Sequence, residues 1–128
     1  MLNIMGGILI LVGLAGFALP GLAGAHLSLA HNVIHLVSGA LALYFGMRAS
    51  WSAMRAFCFI FGLVYGLLGV LGLALGSGSG RMMTIIPGQL ELGLVDHVIH
   101  VALGMVFMAL GFAARLRPAA RQSSAAGA

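Results

Sequence analysis

The sequence predicts an all-α integral membrane protein, a four-helix bundle built from two tandem helix-pair repeats, and three observations carry that prediction. Of the 128 residues, 62% are hydrophobic and 6% are charged, with a mean hydropathy of +1.15, whereas a soluble domain carries about 25% charged residues. Four apolar stretches, each near the ~20 residues that a helix needs to cross ~30 Å of hydrocarbon, are separated by short polar or glycine-bearing segments. AHNVIHLVSGALAL at 30–43 matches VDHVIHVALGMVFM at 95–108, 65 residues further on, so that Val33, Ile34, His35 and Gly39 recur as Val98, Ile99, His100 and Gly104.

The elements follow in order. A first helix is expected over about Asn3–Leu19, a second over about Leu27–Met47, a third over about Ala56–Leu75 and a fourth over about Leu90–Ala113. Together they make one domain over 1–117, followed by a small, polar, disordered cytoplasmic tail at 118–128. The first stretch also has features of a secretory signal, because Pro20 and Gly21 precede the A-x-A-like Ala23-Gly24-Ala25. It lacks the basic residues that open such a signal, and the repeat needs it as a helix: VGLAGF at 12–17 resembles YGLLGV at 65–70. Ser28, or His31, can cap the second helix, and Pro87 and Gly88 mark the approach to the fourth. In the third, Gly62, Gly66, Gly69, Gly72 and Gly76 include GxxxG spacing, which serves packing inside the bundle or a homodimer.

Charge sets orientation and excludes partners. Six arginines scattered between apolar blocks form no basic stripe, so no nucleic-acid partner is expected and the partner is the lipid bilayer, with a larger membrane complex or a homodimer as further options. Five of the six, Arg48, Arg55, Arg115, Arg117 and Arg121, fall on one side, which places both termini in the cytoplasm of a bacterial inner membrane. The single Cys58, inside an apolar run, reads as a buried small hydrophobe. Tyr44 and Trp51 read as interfacial anchors.

That orientation gathers His26, His31, His35, Glu91, Asp96, His97 and His100 in the outer half. His35 and His100 lie about 12 to 15 Å inside their helices at 1.5 Å per residue, and intramembrane ionisable groups normally face the bundle interior. His31, His35, Gly39, Ala42 and Gly46 share one helix face, and Gly93, His97, His100, Gly104 and Gly111 share another. If the two faces meet, His35 approaches His100, His31 approaches His97, and Asn32 approaches Asp96. Gly39, Gly104 and Asn32 then serve helix packing.

The plain reading is a non-enzymatic accessory or sensing component, without a cofactor, whose His35 and His100 make a structural interhelical contact. One alternative is an electron or metal carrier, with His35 and His100 as the axial pair of a b-type haem, or with His31, His35, His97, His100 and Asp96 around zinc or copper. Another is the handling of protons or small ions by the same groups. A hydrolase is disfavoured, because no Ser or Cys nucleophile lies with a His and an acid on the same side.

On HNVIHLVSG at 31–39 and VDHVIHVALG at 95–104 the chain resembles a family of small bacterial four-helix membrane proteins, domain of unknown function 4383. The shared pattern is an Asn or Asp, about two apolar residues, a His, and a Gly one turn later. The resemblance covers most of the membrane-embedded chain and implies the same four-span fold. Where the family more often has Asp-Asn this chain has Asp96-His97, which implies that His97 is not a family-wide ligand and weakens the four-histidine site more than the His35 and His100 pair. No activity, substrate or cofactor comes with the resemblance.

Overall fold

The structure is a computed structural model that describes residues 1–115. The expected tail at 118–128, with the last residues of the expected domain, lies outside the described residues. Four helices carry the fold: α1 (Leu2–Ala18), α2 (Leu29–Met47), α3 (Trp51–Leu75) and α4 (Leu94–Arg115). α2, α3 and α4 are long and apolar enough to cross a membrane, and α1 is a shorter apolar helix of 17 residues. A single 3-10 turn at Leu22–Gly24 joins α1 to α2.

Local chemistry corrects two expected boundaries. The third helix starts at Trp51 rather than near Ala56, because the Ser50 side chain caps it, accepting the Ala53 N–H at 3.3 Å. The fourth starts at Leu94 rather than near Leu90, because the chain first forms an antiparallel hairpin that the all-α expectation lacked. Strand β1 (Met83–Ile86) pairs with β2 (Leu90–Leu92), Met83 opposite Leu92 and Thr84 opposite Glu91. Pro87 and Gly88 form its turn, and Gly88 takes a φ of +70° that a side chain would oppose. Leu-Glu-Leu alternates buried, exposed, buried, the period of a strand.

α1 lies along α2 and α3 along α4, whereas direct contact between α2 and α3 is small. The expectation that the His/Gly faces of α2 and α4 meet therefore needs correction: each helix spends its glycines on its own hairpin partner. Gly39 abuts the Gly6 carbonyl and Ile10 of α1, and Gly104 abuts Gly66 and the Gly62 carbonyl of α3. The same pattern runs along both pairs. Gly6 meets Leu43 as Gly62 meets Met108, and Gly13 meets the Asn32 carbonyl and Leu36 as Gly69 meets the His97 carbonyl and Val101. Gly16 holds the Asn32 side chain as Gly72 holds the His97 imidazole. The equivalent positions lie 56 residues apart on α1 and α3 and 65 apart on α2 and α4. Aligning VGLAGF with YGLLGV instead pairs Gly13 with Gly66, about one helical turn short of its packing equivalent Gly69.

The core draws on all four helices through Leu2, Leu9, Ala42, Phe57, Cys58, Tyr65 and Phe107. Its aromatic part is continuous, with Phe57 stacked on Phe45 at 4.6 Å and Tyr65 stacked on Phe107 at 6.0 Å between ring centroids. Leu11, Val37, Ile60 and Val98 point outward and stay exposed, an apolar exterior of the kind that lipid covers.

Candidate functional site

The candidate site lies at the hairpin end of the helices. Ser28 starts it: its side chain caps α2 by accepting the His31 N–H at 3.3 Å, and its hydroxyl donates to the Gln89 carbonyl at 2.5 Å, tying the β-hairpin to α2. His31 and His35 then follow at i and i+4, one above the other. The His31 Nδ1–H donates to the His26 carbonyl at 2.7 Å, because a carbonyl can only accept. In a neutral ring that leaves His31 Nε2 as an acceptor, and the His35 Nε2–H donates to it at 3.1 Å. The partners thus assign both tautomers. The two rings stack with centroids 4.7 Å apart.

His100 comes in from α4, with its ring centroid 5.7 Å from that of His31 and 5.4 Å from that of Tyr65. His31, Ile34, His35, Tyr65, Leu68, Leu90, Leu92 and His100 line a cavity of about 40 Å³. Leu90 and Leu92 are both buried, so strand β2 forms part of the cavity wall. The Tyr65 hydroxyl lies beside Ser38 without a hydrogen bond of good geometry. His35 Nδ1, His100 Nδ1 and Tyr65 Oη are buried with no protein partner, and such atoms each cost about 1–3 kcal/mol when left unsatisfied. Beyond Tyr65 the aromatic layer of Phe57, Phe61 and Phe107 closes the interior.

Asp96 works at the mouth of the site. Its carboxylate, buried at the start of α4, accepts the His26 N–H at 3.1 Å on each oxygen and the Gly93 N–H at 2.8 Å. The half-exposed His26 ring stands 3.3 Å from the same carboxylate. One buried acid therefore caps α4 and holds the N–H of His26, the residue whose carbonyl, in the next peptide unit, orients His31.

Of the residues singled out in the sequence, His31, His35 and His100 come together. His97 and Asp96 do not join them, and two expected approaches need correction. His31 nears His100 rather than His97, whose Nε2–H donates to the Arg81 carbonyl at 2.8 Å. Asn32 faces Gly16 and donates to the Leu27 carbonyl at 3.3 Å rather than approaching Asp96. Pairing within each hairpin is the cause, since it seats Asn32 and His97 in glycine notches on separate partner helices. Among the described residues no three His, Cys, Asp or Glu side chains are grouped to hold a metal ion. A haem does not fit between His35 and His100 either: the space at Gly39 and Gly104 is filled by α1 and α3, and the cavity is far smaller than a macrocycle.

Sequence reasoning passed over Tyr65 and the two hairpin leucines. A hydroxyl in the middle of an apolar span was the available signal for Tyr65, and the Leu-Glu-Leu alternation after Pro-Gly was the signal for the hairpin. No family model, no curated protein and no solved structure matches this chain.

Proposed function

We propose that the chain is a non-enzymatic, four-span sensing component of a membrane, in which the histidine cluster takes up protons from the face opposite five of the six arginines. The observation that carries this reading is the hydrogen-bonded imidazole pair of His31 and His35, oriented by the backbone carbonyl of His26 at the mouth and ending against an aromatic layer. A proton taken up by the His31 and His35 pair finds no hydrogen-bonded continuation to the other side among the described residues. A second proton on His31 removes its Nε2 acceptor and sets two N–H groups face to face at 3.1 Å, so uptake breaks the contact with His35. The groups that face this event are His26, Asp96 and Glu91 around the mouth, His100 on α4 and Tyr65 on α3, while His97, nearer the start of α4, is turned to Gly72 and the Arg81 carbonyl. The Ser28 tie and the buried leucines couple the same rings to the exposed hairpin.

The test uses protein reconstituted in liposomes with ¹⁵N-labelled histidine. Between pH 8 and pH 5 the His31 and His35 ring signals are expected to change together, with His31→Gln abolishing the coupled change, while an internal dye reports no proton flux. Unchanged ring signals overturn the sensing role, and flux above that of empty liposomes makes the protein a conduit.

For the architecture, we infer two copies of one helix pair related by an approximate two-fold along the membrane normal. The matched glycine contacts in the two pairs support it, including the equivalent seats of Asn32 and His97. The second copy has the longer connection, and that is where the β-hairpin lies. The arginine bias supports a bacterial inner membrane with both termini cytoplasmic. A reporter fused to the C-terminus is then expected to be active only as a cytoplasmic enzyme; periplasmic activity reverses the orientation.

A further inference from the structure

We infer that the cavity between His31, His35, His100 and Tyr65 is a binding site for one small neutral protic molecule, water or ammonia, held by His35 Nδ1, His100 Nδ1 and Tyr65 Oη. The three side chains are 5%, 3% and 5% exposed, come from α2, α4 and α3, and line the same cavity. Each leaves its buried polar atom without a protein partner. Buried polar groups in folded proteins are rarely left so, and an unseen small molecule is the usual resolution. A water needs about 10–15 Å³ and two to four polar partners; the cavity has about 40 Å³, and three of the residues that line it carry a buried polar atom without a protein partner.

The hydrogen-bond line dictates what the guest must be. His31 Nδ1 donates to a carbonyl, His31 Nε2 accepts from His35 Nε2–H, and a neutral His35 is left with a lone pair on Nδ1. The guest must therefore donate a hydrogen bond, which excludes apolar gases and halides. No carboxylate lines the cavity among the described residues, which favours a neutral guest over a cation. Such a molecule bridges the first helix pair to the second where direct contact between α2 and α3 is small, and β2 covers it with Leu90 and Leu92. In extending the same cluster, the inference rests on the proton-linked reading for its use, though not for the presence of the guest.

The test is proton–nitrogen correlation NMR on ¹⁵N-histidine protein in hydrated bilayers, held at pH 8. The expected result is a correlation from an exchange-protected guest proton to Nδ1 of both His35 and His100, weakened in Tyr65→Phe and lost in His100→Phe. Leu92→Ala, which thins the cover, is expected to keep the correlation but speed its exchange with bulk water. Added ¹⁵N-ammonium chloride separates the two sources: a new nitrogen-coupled correlation identifies ammonia, and an unchanged one identifies water. The site is overturned if no exchangeable proton correlates with either Nδ1, or if xenon enters the wild-type cavity as it would a dry apolar void. A guest present without any response between pH 8 and pH 5 removes the sensing reading and leaves the site; a response without a guest removes the site alone.

Discussion

Gly104→Ala is expected to lower the stability of the folded protein by about 2–3 kcal/mol, while Gly66→Ala on the facing helix leaves it within about 0.5 kcal/mol. The two glycines lie at one crossing of α3 and α4 but point differently. A Cβ on Gly104 would come 2.6 Å from the Gly66 Cα and N and 2.9 Å from the Gly62 carbonyl oxygen. Those atoms are backbone and cannot rotate away, so the helices must separate and lose contacts along their length. A Cβ on Gly66 would find its nearest neighbour, the Gly104 Cα, at 3.9 Å, an ordinary contact. Alanine's better helix propensity pulls both variants toward greater stability, which makes a loss at Gly104 the more telling. The first pair repeats the comparison, with Gly39→Ala meeting the Gly6 carbonyl oxygen at 2.7 Å and Gly7→Ala meeting nothing within 4 Å. Unfolding by SDS titration in mixed micelles, followed by circular dichroism, reads the difference. Equal midpoints for Gly104→Ala and Gly66→Ala would show that this crossing is not closely packed.

The existence of four helices was legible because apolar runs with few charges have one solution, in which the backbone satisfies its own hydrogen bonds. How they pair was less so, and the reason lies within α2. His35 and Ala42 point into the bundle, whereas Gly39 and Gly46 contact α1. At 3.6 residues per turn, Gly39 lies only about 40° round the helix from His35, so a single broad face in the sequence hides two seams with different partners. That offset is why both glycine rows were assigned to one shared surface between α2 and α4. The histidines themselves were legible as buried groups, since polarity inside a span demands a partner. Which groups would meet was not, because the His26 carbonyl and the Arg81 carbonyl that orient His31 and His97 are backbone atoms with no signature in the sequence. Tyr65, an aromatic among aromatics, gave away only its hydroxyl.

Asp96→Ala is the second large effect, expected to cost about 3 kcal/mol and to change the histidine cluster without touching it. The carboxylate accepts two backbone N–H groups that are otherwise stranded, one from Gly93 at the start of α4 and one from His26 in the connection before α2. Hydrogen bonds to a charged acceptor contribute about 1.5–3 kcal/mol each, and the loss of a helix cap alone costs about 0.5–2 kcal/mol. Asn in place of Asp keeps one acceptor oxygen and should recover about half of the loss. Glu91→Ala, on an exposed position of β2, is the control and should stay within about 0.5 kcal/mol. The distinguishing readout is at a distance. Release of the His26 N–H loosens the backbone that sets the next carbonyl against His31 Nδ1, so Asp96→Ala should shift the His31 and His35 ring nitrogens even under conditions in which the variant remains folded. A destabilised Asp96→Ala whose two ring signals coincide with those of the wild type would confine Asp96 to capping α4 and cut the link between the mouth and the imidazoles.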